Sequence, residues 1–324
     1  MSEDGEILPT VSVLMIAYQH ENYIAEAIEG VVSQQGSFNL RLIIGEDYGT
    51  DSTRIICEKY AQEHPNKIVL LPSDRNYGIQ GNFLRVLKAC LDADYIAICE
   101  GDDKWIDPNK LSKQLRFLLE NNQYSAHAHN VIKKNIMTGE TTPFSDEAQR
   151  ELSFAELFNG WFFHAVSLFV RSDIFKDIPF DQLPYFISAD RFMNRWIACH
   201  GRLFFDGKQL SAIYHRHDSG ASQNSNRLAL RTQERDMLAF FDNYVPKENG
   251  HYLVKAKMDT LQDLAYYYAL GYGELKQKWA LLLEYLDLMS FSNKQSYYFL
   301  CCFIFGRYFF RTWDSLKTVW SSKT

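Results

Sequence analysis

In Tyr95-Ile96-Ala97-Ile98-Cys99-Glu100-Gly101-Asp102-Asp103-Lys104-Trp105, five apolar or aromatic residues run without a break into three carboxylates. A short apolar run bounded by turn residues fits a buried strand, expected here over Asp94–Cys99. Carboxylates directly after such a strand are costly unless something positive meets them. A hard divalent cation, held by one or two carboxylates together with substrate phosphates, would meet them. The bland alternative is a capped turn ahead of the helix that Pro108 opens. Taken alone, the tetrapeptide Glu100–Asp103 does not choose between the two.

Upstream, the pattern alternates. Val11–Tyr18 reads as a buried strand. Glu21–Gln35 places Ile24, Ala27, Ile28, Val31 and Val32 on one helical face. Leu40–Gly45 is a second strand, and Asp51 or Ser52 caps a helix to about Glu63. Lys67–Leu71 is a third strand, followed by a turn at Asn76–Gly81 and a helix over Asn82–Leu91. Downstream, the helix after Pro108 runs to about Asn121. This alternation implies an α/β fold with a mostly parallel central sheet and right-handed crossovers. Ligands in such sheets bind outside the carboxyl ends of the strands. Three polar clusters fall there: Tyr18–Glu21, Glu46–Asp51 and Glu100–Asp103.

From Ser125 to about Ser222 the strands are shorter: Phe163–Arg171, Arg202–Phe205 and Leu210–His217, around a helix at Ser188–His200. This reads as a mixed extension of the same sheet, where a second substrate could bind. Beyond about Ala221 the pattern is helical: Arg227–Asn243, Tyr252–Leu270, Glu274–Met289 and Gln295–Trp320. The expected division is therefore 1–222, with halves 1–121 and 122–222, and a helical region 223–324.

Composition narrows the classes. The chain has 324 residues, enough for a real core, and 15% of them are aromatic, which excludes a disordered protein. The net charge of −6 gives no global basic field for nucleic acid. The six cysteines form no C-x-x-C pair, so reduced, buried thiols and a cytoplasmic location are expected. Met1–Leu8 lacks a signal pattern, and the longest apolar run, Tyr297–Gly306, is too short to span a bilayer. Gln295–Trp320 mixes aromatic residues with Arg307, Arg311 and Lys317. It reads equally as a helix packed on the protein or forming a homodimer, and as an interfacial helix giving peripheral membrane contact.

Two further clusters carry chemistry. Asp51 in Glu46–Asp51 reads as an Asx-turn or helix cap, whereas Asp47 could accept the imide N–H of a uracil or thymine ring. In Tyr214-His215-Arg216-His217, neutral His217 could complete a metal site, and His215 or Arg216 could meet phosphate.

These segments together resemble family 2 of the glycosyltransferases. The residues that carry the likeness are Pro9–Val13, Ala17–Tyr23, Glu46–Asp51, Asn76–Gly78 and Tyr95–Trp105, in order and spacing over roughly the first 120 residues. The resemblance implies the GT-A nucleotide-diphospho-sugar transferase fold and an inverting, metal-dependent transfer. A hexose-type sugar would pass from a nucleotide-sugar donor, UDP favoured, to a hydroxyl of a glycan or lipid-linked glycan. It implies nucleotide contacts from Ala17, Tyr18, Asp47, Gly78, Asn82, Glu100 and Gly101. Mn²⁺ or Mg²⁺ would lie on Asp102 and His217, and Asp190 would be the catalytic base. Asp103, Trp105, His164, His215 and Arg216 are candidates for phosphate or acceptor contacts.

Three departures stand out. Glu100 replaces the first Asp of the usual D-x-D, Glu46 and Tyr48-Gly49 replace a common Asp and Gly-Ser, and Ala189 replaces the acidic residue that often precedes the base. A sugar nucleotidyltransferase is the alternative enzyme, but Gln19–Asn22 lacks its glycine-rich basic loop. An inactive glycan-binding relative is the non-enzymatic alternative, and the retained acidic residues argue against it.

Overall fold

The computed structural model describes residues 7–146, 148–217, 226–269, 280–281 and 283–285. The chain divides into two units, Met1–Leu183 with Ile187–Asn224, and Pro184–Phe186 with Ser225–Thr324.

The first unit opens with β1 (Thr10–Ala17), α1 (Ile24–Val32), β2 (Asn39–Glu46), α2 (Thr53–Glu63), β3 (Ile68–Leu70), α3 (Gly78–Cys90) and β4 (Tyr95–Ile98). These strands pair in parallel in the order β3-β2-β1-β4. β1 is apolar on both pleat faces because helices cover both: Val11, Val13, Leu14 and Met15 are all buried. The strand order reverses at β1, which opens a crevice between the carboxyl ends of β1 and β4.

Next come β5 (Lys104–Trp105), α4 (Lys110–Glu120), β6 (Ala126–Asn135), β7 (Thr141–Pro143), β8 (Arg150–Leu152), α5 (Phe154–Asn159), β9 (Phe169–Arg171), α6 (Ala189–His200) and β10 (Leu203–Arg216). The sheet continues β4-β9-β6-β10-β5. β9 is antiparallel to both β4 and β6, and β10 is parallel to β6. The β5 pairing places the site: Trp105 lies opposite Ala212, and Lys104 opposite Ile213. The acidic turn is thus laced to the end of β10. On the other side, α1 packs tightly on β5. A Cβ at Gly30 would stand 2.7 Å from the Trp105 carbonyl oxygen, so only glycine fits.

Three local expectations are corrected. α3 starts at Gly78 (φ 73°), four residues before the expected Asn82. Phe163–Arg171 is a strand only at Phe169–Arg171; Ala165–Ser167 is a 3₁₀ turn. There His164 Nδ1 accepts the Val166 amide and Ser167 Oγ donates to the His164 carbonyl, local bonds that compete with the ladder. The two expected strands Arg202–Phe205 and Leu210–His217 are one strand, β10, with register shifts between Asp206 and Ile213. Asp206 Oδ1 accepts the Lys208 and Gln209 amides and so forms the bulge.

In the second unit, α7 (Arg227–Phe240) begins at Asn226, whose side chain accepts from Leu228 and Ala229. α8 (Gly250–Ala269) packs Met258, Leu261, Leu264 and Ala265 against Leu281 and Tyr285. Residues 280–281 and 283–285 are helical. The rest of the expected helix Glu274–Met289, and all of Gln295–Trp320, lie outside the described residues. Among those described, no helix is long and apolar enough to cross a membrane. Cys57, Cys90, Cys99 and Cys199 are free thiols.

Candidate active site

The crevice holds Glu100, Asp102 and Asp103, whose ligand atoms lie within 4.8 Å of one another. Gly101 makes this turn possible. Its N–H donates to the Ile16 carbonyl at 2.9 Å. A Cβ there would meet Ile24, Ala17 and the His20 ring at 2.8–2.9 Å.

Histidines from both ends of the unit converge on these carboxylates. His217 Nε2 stands 3.1 Å from Asp102 Oδ2. The His215 ring donates from Nδ1 to the Asp102 carbonyl at 2.7 Å, and its amide donates to Asp103 Oδ1 at 3.1 Å. Tyr23 stacks on His217 at 5.2 Å and lies tilted against His215 at 5.6 Å, which fixes both rings. His164 Nδ1 approaches Asp103 Oδ2 at 3.5 Å, and its ring stacks on Tyr214. Burial pushes His164 down to about 4, against the pull of Asp190 and Asp102, so this approach is not an ion pair at neutral pH.

The carboxylates divide. Burial, reinforced by the charges of Asp102 and Asp190, pushes Glu100 up to about 8. Burial, then Asp102 and Glu100, raises Asp103 well above the usual range. Burial also acts on Asp102, but His20 and His217 outweigh it and hold this carboxyl at about 2. Asp102 Oδ1 and Asp103 Oδ2 are buried without a hydrogen-bond partner. Three clustered carboxyl groups with two orphaned oxygens fit a hard divalent cation, which would satisfy those oxygens and let all three ionise.

Asp190 lies in the first turn of α6. Its Oδ1 accepts the Ser188 hydroxyl and the Arg191 amide, each at 2.8 Å. Its charge acts on both Glu100 and His164, so the fold brings it to the same crevice.

A second group lies at the ends of β1 and β2. Asp47 is buried and its Oδ1 accepts the Tyr77 amide at 2.7 Å. Asn82 donates to the Gly45 carbonyl at 2.7 Å and accepts from Arg85 Nε at 2.8 Å. Asn82 therefore supports the β2 end. The Asp47 amide donates to the Ala17 carbonyl at 2.9 Å, joining the two strand ends, and Tyr18 beyond them is 45% exposed. Arg75 and Arg85 flank the Tyr77 ring at 4.9 and 4.6 Å, beside Gly78.

Trp105 is placed in the core. It is buried, its Nε1 donates to the Val166 carbonyl at 2.9 Å, and Lys110 Nζ lies 4.0 Å over its ring. Its indole N–H is thus spent within the core instead of facing a substrate. Arg216 is exposed at the end of β10.

One residue escaped the sequence reading. His20 Nε2 stands 3.6 Å from Asp102 Oδ2, and its Nδ1 is buried and unpartnered. The only signal was its place just beyond the first strand, in the polar cluster Tyr18–Glu21.

A sheet with a strand-order reversal, three clustered carboxyl groups at its carboxyl edge and a carboxylate at a helix start nearby match the GT-A fold. The description "Glycosyl transferase family 2" matches residues 12–178, and the chain belongs to that family as a glycosyltransferase. It is 30% identical over 248 residues to the uncharacterized protein Rv1520 of Mycobacterium tuberculosis, covering 74% of this chain and 69% of that one. In fold it is similar to S. aureus TarS 1-349 in complex with UDP-GlcNAc, with a TM-score of 0.54, 15% identity, and 81% and 83% of the two chains covered. It is also similar to the mannosyltransferase PcManGT of Pyrobaculum calidifontis in complex with GDP-Man and Mn2+, with a TM-score of 0.50, 14% identity, and 95% and 88% covered.

Proposed function

We propose that this chain transfers a hexose-type sugar, with inversion, from a nucleotide-diphosphate sugar to a hydroxyl of a glycan or lipid-linked glycan acceptor. The observation that carries this is the cluster Glu100, Asp102 and Asp103, in which Asp102 Oδ1 and Asp103 Oδ2 are buried without a hydrogen-bond partner while His20 and His217 approach Asp102 Oδ2. The donor's base lies at the β1 and β2 ends, its ring on Tyr18 and its edge at Asp47. UDP is favoured because a carboxylate can accept a pyrimidine imide N–H. The similar folds solved with UDP-GlcNAc and with GDP-Man support a nucleotide-sugar donor and do not select the base.

Asp102 and His217 would hold Mn²⁺ or Mg²⁺, with Glu100 and Asp103 behind them. A cation there supplies charge neutralisation for the departing diphosphate. Asp190 takes the proton of the acceptor hydroxyl as that oxygen attacks the anomeric carbon. The bond from that carbon to the phosphate oxygen breaks on the opposite face, and its electron pair leaves with the nucleotide diphosphate. His215 and Arg216 face the phosphates, and His164 the acceptor side.

Residues 1–222 form the catalytic domain in this reading, with donor and acceptor halves meeting near residue 121, and 223–324 form a helical appendage. The reaction would take place in the cytoplasm or on the cytoplasmic face of the membrane. The test is release of nucleotide diphosphate by the purified chain from UDP-, dTDP- and GDP-sugars, with Mn²⁺ or with chelator. Release that needs the cation and one base class supports the reading; release unaffected by chelator removes the cation from it. Truncation after Met289 separates the two accounts of the C-terminal segment. Lost liposome binding with retained transfer favours membrane contact, and a lost dimer favours packing.

A further inference from the structure

Two described residues other than glycine have left-handed backbones, Gln19 (φ 57°) and Tyr48 (φ 57°). Both lie just beyond the ends of neighbouring parallel strands. Ala17 pairs with Glu46 across β1 and β2, so Tyr18-Gln19 and Asp47-Tyr48 leave the sheet side by side. Gln19 has a local account. Its side chain donates to Thr50 Oγ1 at 3.2 Å, and the turn it makes carries His20 to Asp102.

Tyr48 has no such account. Its side chain is 57% exposed. Among the described residues, its hydroxyl makes no hydrogen bond and its ring meets no aromatic or cationic neighbour. A bulky residue on this backbone is strained where glycine would not be. The residues around it are nevertheless firmly held. Asp47 accepts the Tyr77 amide at 2.7 Å, and Glu46 Oε1 accepts the Gly49 amide at 2.6 Å. An exposed ring on a fixed, strained backbone contributes little to the fold. Strain of this kind persists where a site uses it.

We propose that Tyr48 is a specificity-determining residue for the donor, its ring forming a wall against the nucleobase whose edge meets Asp47. This rests on the donor reading above. Stacking accepts any base, but a ring filling space that glycine would leave open narrows the slot and favours a one-ring pyrimidine over a purine.

The test is calorimetric titration of UDP and GDP, each with Mn²⁺, into wild type, Tyr48→Gly and Tyr48→Phe, with apo melting temperatures alongside. Tyr48→Gly is expected to bind UDP about tenfold more weakly, to discriminate less against GDP, and to melt no lower than wild type. Tyr48→Phe is expected to bind UDP as wild type does. A Tyr48→Gly chain that binds UDP like wild type overturns the proposal. So does weakening that comes with a lower melting temperature, which marks a structural role. If wild type itself binds neither nucleotide, the donor reading fails, a result that no variant is needed to see.

Discussion

At the scale of single residues, the site separates charge from position. Asp102→Asn keeps the shape and the contact with His217 but removes, of the three clustered carboxyls, the one that its surroundings hold ionised. We expect transfer to be lost while melting is preserved, and chelation of wild type to reproduce the loss. A variant still active with Mn²⁺ would move the cation to other ligands. His20 does not bond Asp102, since 3.6 Å is too long for a hydrogen bond. Its role would be to position that carboxylate by packing against the same oxygen, Asp102 Oδ2, that His217 contacts. His20→Ala is expected to raise the Mn²⁺ concentration for half-maximal transfer about tenfold or more, with little change at saturating metal. An unchanged Mn²⁺ curve would make His20 a packing residue. For Asp190, loss of a helix-start contact costs about 1 kcal/mol of stability, whereas loss of a base costs about 10²–10⁴ in rate. Asp190→Asn keeps an oxygen for Ser188 and Arg191 and removes basicity, so we expect near-normal melting with transfer down by about 10² or more. A rate within a few-fold of wild type would exclude Asp190 as the base.

At the scale of elements, the helices and parallel strands of the first 120 residues were legible, because apolar periodicity reports burial directly. α1 and β2 fall within a few residues of expectation, and the carboxylates of Glu100–Asp103 stand at a strand end as read. What was not legible came from pairing and from local polar bonds. Nothing in Phe163–Arg171 announces that His164 and Ser167 bond their own backbone and leave three residues for β9. Likewise, only the β5–β10 pairing brings His217 to Asp102, 115 positions away in the chain. α4 shows a further cost hidden from the sequence. Lys110 is buried, donates to Gln114 at 2.8 Å, and burial pushes it down to about 7 from 10.5. Between those values the unfolded chain binds a proton that the folded chain lacks, so this residue makes stability rise with pH. The buried thiols of Cys57 and Cys90, pushed up to about 12, act in the opposite direction only above their ordinary value of 9.0. Urea midpoints of wild type and Lys110→Met at pH 7 and pH 9 check this. The change from pH 7 to pH 9 should be more positive in wild type than in the variant, since Glu100, raised to about 8, opposes Lys110 in both; equal changes would assign none of the slope to Lys110.

At the scale of the whole molecule, every site residue from Ala17 to His217 belongs to the first unit, and α7 and α8 to the second. The first unit carries the candidate site at the mouth of its own sheet, from the ends of β1, β2, β4 and β10 and the start of α6. The second has its own small core around Leu261, Leu264 and Tyr285. A donor bound to native chain but not to unfolded chain stabilises by RT ln(1 + [L]/Kd), about 2.7 kcal/mol at a hundredfold excess over Kd. That stabilisation should be local to where the ligand sits, because amide exchange in distinct cooperative regions reports distinct openings. With UDP and Mn²⁺ we therefore expect slower exchange at Ala17–His20, Asp47–Gly49, Glu100–Asp103 and the end of β10, and no change in Arg227–Phe240 or Gly250–Ala269. Protection that appears chiefly in α7 and α8 would show that the nucleotide binds elsewhere, and would remove the acidic crevice as the donor site even if transfer activity were found.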